Sequence, residues 1–138
     1  MKLLLQLFFL VTFSFNTIQE ISAQSQREMN TTAIDGNKAA KAELQGTINR
    51  IFAMYSKEAD FIAAFKDSND AWERYVVAQL KMKFPAKNTK LEYGSVFPMC
   101  YSLYAEELIR NRIKELRLWA GGVQEGDVCC GSVHFKNN

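Results

Sequence analysis

Cys130 and His134 are the one pair in this chain whose types and spacing could support nucleophilic catalysis. A nucleophile needs both a base and a third group that orients the base. His134 is the only histidine, and nothing in the C-terminal sequence around it supplies that third group. We therefore predict that the protein is not an enzyme and has no catalytic residues.

The same C-terminal residues could in principle bind zinc, through Cys129, Cys130 and His134. Their spacing matches no structural zinc pattern, and disulfide formation competes with metal binding outside the cytosol. The sequence also contains no glycine-rich phosphate loop and no calcium loop. We expect neither a metal nor a cofactor.

Three cysteines in a chain of 138 residues suggest one disulfide and one remaining thiol, if the chain is exported. Adjacent cysteines pair only through a strained ring, so Cys100 is the expected partner of either Cys129 or Cys130. Spacing alone does not choose between these two. On the loop-entropy model, a closed loop of about 30 residues would contribute roughly 3–4 kcal/mol.

Two charged groups are candidate partner-binding residues. Arg110, Lys114 and Arg117 recur along one face of a predicted helix. Glu125 and Asp127, which follow that helix, carry the opposite sign and could meet a basic partner. Such faces are most often simply solvated, and charged rims set the rate of association more than its affinity.

The N-terminus predicts export. Lys2 precedes an apolar run from Leu3 to Phe15, and the small residue Ala23 suits a cleavage site. We predict a signal peptide over residues 1–23, because the apolar run is shorter than the ~20 residues that span a bilayer. No cysteine follows the run closely, so a lipid anchor is not expected. The expected location is periplasmic or secreted, without stable membrane insertion after cleavage.

The chain has a formal net charge of +2, and removal of residues 1–23 deletes one base and one acid. A balance this small does not indicate nucleic acid as a partner, since that normally requires a clustered basic face. The length corresponds to one domain with a real core. We place that domain at residues 38–138.

Residues 24–37 are polar, and we predict a flexible N-terminal lead there. Asn37 can cap a helix that starts at Lys38. Apolar residues then recur at helical spacing, with no alternation typical of a strand. They are Leu44, Ile48, Ile51, Phe52 and Tyr55.

Two further helices are predicted. The second begins near Glu58 or Asp60 and ends at Phe84-Pro85, because the residue before a proline disfavours helical geometry. A loop over residues 86–97 follows. Pro98 occupies the first turn of the third helix, and Gly121-Gly122 ends it. The fold class is therefore all-α, a small bundle of three main helices with a disulfide-tied C-terminal tail.

One face of the second helix mixes apolar and polar residues. Trp72 shares this face with other aromatic side chains, and Ser68, Asn69 and Gln79 lie on or beside it. Buried polar groups need hydrogen-bond partners, because each one without a partner costs ~1–3 kcal/mol of stability. The plain interpretation is that they bond to a neighbouring helix end or loop, and the alternative is a small ligand pocket beside Trp72.

Several separated motifs resemble the LprI-like lysozyme-inhibitor domain family. In the middle of the chain they are Asp70-Ala71-Trp72-Glu73-Arg74-Tyr75, Ala78-Gln79-Leu80 and Phe84-Pro85. Further along they are Tyr93-Gly94-Ser95-Val96, Pro98-Met99-Cys100, the run from Leu108 to Leu116, and the segment from Glu125 to Ser132 without Cys130, which stands where the family is expected to have another residue. The likeness covers roughly residues 61–133.

The resemblance implies a small, exported, mostly helical bacterial protein. It favours the pairing of Cys100 with Cys129, and it implies structural roles for the residues of the motifs. These are Trp72, Tyr75, Tyr93, Gly94, Pro98, Gly126 and Asp127. The chain departs from many relatives in having no cysteine in its N-terminal segment, so one disulfide of the family is absent.

The resemblance also implies a function. We expect a non-catalytic binding protein that inhibits a lysozyme or a related cell-wall hydrolase by occupying its cleft. The alternative is an envelope module that binds a small ligand or another protein through the Trp72 face, with no hydrolase inhibition.

Overall fold

The computed structural model describes residues 2–126 and 128–136, with side chains described from Ala23 onward. Four α-helices follow one another: α1 (Lys2–Met54), α2 (Ala59–Lys83), α3 (Thr89–Tyr93) and α4 (Phe97–Gly121). A 3-10 turn, Gly94–Val96, joins α3 to α4. Over the described residues the only strand-like feature is an isolated bridge between Val123 and Phe135. The all-α prediction, with three long helices, is confirmed.

The central helix of the bundle is α4, and α1 runs parallel to it. Asn30 of α1 contacts Ser95 just before α4, and Tyr55 after α1 contacts Trp119 near the end of α4. The chain returns along α2, which is antiparallel to both. α1 packs mainly against α4, so that α4 separates α1 from much of α2.

The core lies where all three long helices approach one another, near the turn between α1 and α2. Tyr55, Ile51 and Leu116 are its largest fully buried side chains. Full burial of an aliphatic side chain of this size contributes roughly 1.5–3 kcal/mol. The burial of these α1 side chains follows from the apolar spacing predicted for the first helix, because that spacing places one apolar stripe of α1 against α4. The buried cluster comprises Ala40, Leu44, Ile51, Tyr55, Phe65, Ile109, Ile113 and Leu116.

The prediction of a flexible lead over residues 24–37 is wrong. These residues belong to α1 and pack against the beginning of α4. Ala33 is buried, and the buried Asn37 amide donates a hydrogen bond of 3.0 Å to the Ser102 carbonyl. The amide of Asn30 donates likewise to the Ser95 carbonyl, at 3.1 Å. Asn37 is therefore an interhelical contact within α1 and does not cap it.

Gly36 allows this part of α1 to approach α4 closely. A Cβ atom at Gly36 would lie 2.6 Å from Oε2 of Glu106. Glycine costs a helix about 1 kcal/mol relative to alanine, so composition alone suggests that the helix is weak here. The missing side chain instead makes room for a carboxylate of the neighbouring helix.

The predicted signal peptide, residues 1–23, lies largely outside what the structure describes in detail. The backbone from Lys2 onward is part of α1, but the side chains before Ala23 are not described. Cleavage after Ala23 therefore stays a prediction. Within the described part of the chain, no helix combines the length and the apolar composition needed to cross a membrane.

Aromatic rings hold the connection between α2 and α4. Phe84 meets Tyr93, Phe97 and Tyr101 at centroid distances of 5.4–5.9 Å. Part of the predicted loop over residues 86–97 is helical instead, because the Asn88 side chain caps α3 by accepting a hydrogen bond from the Leu91 amide.

The start of α4 matches its prediction. Pro98 lies in the first turn of the helix, as expected. Gly94 has a φ of 65°, in the left-handed region that favours glycine. The family-motif residues Tyr93, Gly94 and Pro98 are thus all part of the turn that reverses the chain from α2 into α4.

The prediction of a disulfide-tied tail is not supported, since the described residues contain no disulfide. Cys100 lies in the first turn of α4, and Cys129 follows the other end of that helix. A helix rises 1.5 Å per residue, so the axis from Cys100 to Gly121 is about 30 Å long. The tail is held at the far end of α4 by non-covalent contacts.

Candidate functional site

The chain after α4 folds into a loop with a fixed base, residues 123–136, which we call the C-terminal loop. The Val123 amide donates to the His134 carbonyl at 2.9 Å, and the Lys136 amide donates to the Val123 carbonyl at 2.8 Å. These two bonds bring the ends of the loop together. Compact surface loops whose ends lie close together are frequently functional.

Tyr55 anchors the base of the C-terminal loop to the bundle. Its ring stacks on Phe61 at 4.0 Å and on the His134 ring at 3.9 Å. Its hydroxyl accepts a hydrogen bond from the His134 amide at 3.1 Å and donates to the Trp119 carbonyl at 3.4 Å. Val133, beside His134, is buried. One tyrosine therefore connects the end of α1, the end of α4 and the loop.

Burial raises the pKa of the Tyr55 hydroxyl above its ordinary value. The hydrogen bond from the His134 amide acts in the opposite direction, and the nearby Glu58 carboxylate adds to the increase. A raised pKa keeps this hydroxyl protonated. It can then continue to donate to the Trp119 carbonyl, so the anchor has both of its hydrogen bonds.

His134 pairs with a carboxylate and not with a thiol. Its Nε2 lies 2.5 Å from Oε1 of Glu58, which precedes α2. The Cys130 sulfur instead contacts the carbonyl of Gly131 at 3.8 Å. The structure thus does not assemble the Cys130–His134 pair that spacing allows. Among the described residues, no group of three His, Cys, Asp or Glu side chains could hold a metal ion.

The tip of the C-terminal loop projects into solvent. Val128 is 96% exposed, and Glu125 and Cys129 are also exposed. Gly126 forms the turn with a φ of 95°, which suits glycine. Asp127, predicted here as a family-motif residue and a partner-binding residue, lies outside the described residues. An exposed valine on a loop with an anchored base is a surface suited to contact with another protein.

The basic residues of α4 lie against α1. Nε of Arg110 is 2.7 Å from Glu106, and its Nη1 is 3.4 Å from Glu43. Nη2 of Arg117 is 3.9 Å from the same Glu43. Lys114 is exposed on this face. Because carboxylates of the protein already pair with both arginines, this face is a weaker candidate for partner docking than the loop tip.

Trp72 packs against the core. The polar residues beside it have partners within α4, whereas the plain interpretation predicts a helix end or a loop. Nη2 of Arg112 donates to Ser68 at 2.9 Å and to Asn69 at 3.1 Å, and the Tyr104 hydroxyl donates to Gln79 at 3.1 Å.

A groove of about 200 Å³ lies further toward the α1–α2 turn. Its walls include Phe61, Trp119 and Ser132, and Trp119 Nε1 donates to the Ser132 hydroxyl at 3.4 Å. Trp119 lies near the end of α4. Because Ser132 comes from the C-terminal loop, no helical periodicity could have placed it beside Trp119.

A substitution at Gly122 tests whether the stability of the loop base depends on the backbone conformation of this residue. Its φ is 71°, and an added Cβ would lie 2.8 Å from the His134 carbonyl oxygen. We expect Gly122→Ala to lower the free energy of unfolding by about 1–3 kcal/mol, the usual cost of such strain. Urea denaturation followed by circular dichroism measures this change.

Gly121→Ala is the matched control. Gly121 ends α4, and an added Cβ would meet nothing within 4 Å. This variant should be neutral or more stable by up to about 1 kcal/mol, because alanine restricts the unfolded chain more than glycine. Equal stability of the two variants would show that the bonds at the loop base contribute little.

The comparisons with known proteins place most of this architecture in one family. Residues 18–116 match the family model described as "Lysozyme inhibitor LprI". This range covers part of α1, all of α2 and α3, and α4 as far as Leu116, so the C-terminal loop lies outside it. Neither the curated proteins nor the solved structures gave a match.

Proposed function

Because the chain belongs to the LprI lysozyme-inhibitor family, we propose that it is an exported, non-catalytic protein that inhibits a lysozyme or a related cell-wall hydrolase. The observation that carries this proposal is the family match over residues 18–116. The helical bundle acts as the scaffold. Binding residues are often found on loops that a rigid scaffold positions.

The shape of the molecule favours the C-terminal loop as the inhibitory surface. A glycosidase cleft is concave and contains two carboxyl groups that flank the scissile bond. A segment that fills such a cleft must project from its own protein. Val128 in the C-terminal loop is 96% exposed and so is available for such a contact.

An anchored base makes the loop an efficient binding element. Tyr55 and the paired bonds of Val123 hold the loop before any partner arrives. Less conformational entropy is then lost on binding, which is the general benefit of preorganisation.

Glu125 beside the tip can face basic groups at the rim of a hydrolase, whereas the apolar tip enters the cleft. Complementary rim charges of this kind raise the rate of association.

A clearing assay tests the proposed function. The predicted mature chain, beginning at Gln24, is mixed with lysozymes of several structural classes, and the decrease in turbidity of a cell-wall suspension is followed. We expect slower clearing with at least one class, with no change in clearing when hydrolase is absent. Undiminished clearing by every class at large molar excess would contradict inhibition.

Val128→Asp tests the surface separately. A charge at the apolar tip should raise the inhibition constant by about tenfold or more, since a charge is costly to desolvate in an interface. Val77→Asp is the matched control, because Val77 is an exposed valine on α2, remote from the loop tip. If both variants inhibit as well as the parent chain, the inhibitory surface lies elsewhere on the bundle.

A further inference from the structure

The groove between α2, α4 and the C-terminal loop has features of a small-molecule site that are separate from hydrolase inhibition. Its apolar walls include the aromatic rings of Phe61, Phe65 and Trp119. Its polar lining comes from Ser68, Arg112 and Ser132. An apolar concave surface with a few convergent polar groups is typical of ligand sites.

Arg112 is the distinctive residue of this groove. Its side chain is only 11% exposed, although arginine is rarely buried without compensating charge. Its Nε is buried and has no hydrogen-bond partner among the described residues. Nη2 donates to the neutral oxygens of Ser68 and Asn69. These neutral partners fix the guanidinium in place but do not balance its charge.

One carboxylate of the protein approaches this cation. Oε2 of Glu115 lies 3.2 Å from Nη1 of Arg112, but the Glu115 side chain is 59% exposed. Exposed ion pairs contribute little, because solvent screens them. A largely buried guanidinium therefore has only a weak anionic partner. A second carboxylate, delivered from the groove, would be well placed to compensate it.

We propose that this groove binds a small organic molecule that has one carboxylate on an apolar body of about the size of an aromatic ring. The carboxylate faces the Arg112 guanidinium, which forms strong charge-assisted hydrogen bonds with planar anions. The apolar body lies among Phe61, Phe65 and Trp119. The size is consistent, since an apolar cavity of ~150 Å³ accommodates benzene and this groove measures about 200 Å³.

Benzoate and benzyl alcohol are the probes that test this site. They are similar in size and apolar body, but only benzoate carries a charge at neutral pH. In a Trp72→Phe background, Trp119 is the only tryptophan and reports binding through its fluorescence. We expect benzoate to bind about tenfold more tightly than benzyl alcohol, as is usual when a hydrogen bond gains a charged partner. Calorimetric titration of the unaltered chain checks that Trp72→Phe does not create the site.

Two variants separate recognition from structural support. Arg112→Met should remove the preference for benzoate, and circular dichroism establishes that this variant is folded. Glu115→Gln removes the competing carboxylate, so it should tighten benzoate binding severalfold and leave benzyl alcohol unchanged. A purely structural role for Arg112 predicts no such gain.

The proposal is overturned if benzoate and benzyl alcohol bind equally, or if neither binds up to its solubility limit. It is also overturned if Glu115→Gln weakens benzoate binding. None of these results depends on whether the protein slows a lysozyme, so the two proposals can fail independently.

Discussion

Tyr55→Ala is expected to lower the free energy of unfolding by about 3–5 kcal/mol, the range for removal of a buried aromatic ring. Tyr55 is fully buried in the core and also holds the C-terminal loop. Its loss removes the stacking with Phe61 and His134 and leaves the Trp119 carbonyl without its donor. Urea denaturation followed by circular dichroism measures the change in stability.

The same variant should release the loop selectively. The amides of Val123 and Lys136, which pair across the loop base, should exchange with solvent much faster than in the parent chain. Tyr75→Ala is the matched comparison, because Tyr75 is 50% exposed on α2 and its removal should cost clearly less stability than removal of the fully buried Tyr55. Equal losses from the two tyrosines would refute the central role given to Tyr55.

Asn37→Ala is the second variant for which we expect a lower free energy of unfolding. The buried Asn37 amide bonds to the Ser102 carbonyl of α4, so the variant loses an interhelical hydrogen bond, while that carbonyl keeps its bond within the helix. The net contribution of one such hydrogen bond to stability is about 0.5–1.5 kcal/mol. Replacing asparagine with alanine also improves helix propensity by a few tenths of a kcal/mol, which partly offsets the loss.

Asn49→Ala isolates the contact from the change in propensity. Asn49 is exposed on the same helix and bonds only to a neighbouring side chain, Gln45. Both variants gain the same helix propensity, so the difference between their unfolding free energies measures the contribution of the Asn37 contact. If residues 24–37 were a flexible lead, Asn37→Ala and Asn49→Ala would have the same stability.

Periodicity and terminator residues were sufficient to predict α2 and α4. The bounds Ala59–Lys83 and Phe97–Gly121 lie within a residue or two of the predicted ones. Phe84-Pro85, Pro98 and Gly121-Gly122 act through backbone sterics, which operate in any context. The buried positions of α4 also follow its apolar spacing. Sequence patterns therefore predict α2 and α4, because local backbone sterics set the ends of these helices.

The beginning of the bundle depends on tertiary contacts instead. Residues 24–37 contain few apolar side chains, which predicts a flexible lead, and Asn37 is predicted to cap the helix after it. In the fold, Gly36 accommodates Glu106 and Asn37 bonds to Ser102. Both partners lie on α4, about 65 residues away in sequence. Composition cannot reveal a contact of this kind.

The candidate site was predicted only in part for the same reason. Glu125 lies in the exposed loop, as the charge pattern suggests, but the pairing of Arg110 and Arg117 with Glu43 requires α1 to lie beside α4. The prediction of a disulfide assumed that Cys100 and Cys129 come together. Cys100 lies in the first turn of α4, and the tail stays at the other end of that helix, where Val123 pairs with His134. Spacing in sequence does not reveal this path of the tail.

The parallel pairing of α1 with α4 has a consequence for how the chain acquires its structure. α1 finds most of its packing on α4, which is synthesised after α2 and α3, and much less on α2, its neighbour in sequence. Contacts between residues so distant in the chain slow folding, because a long loop must close first. A nascent polypeptide that has not yet added α4 would therefore remain open, which is the condition in which a protein can be threaded through a narrow translocation channel.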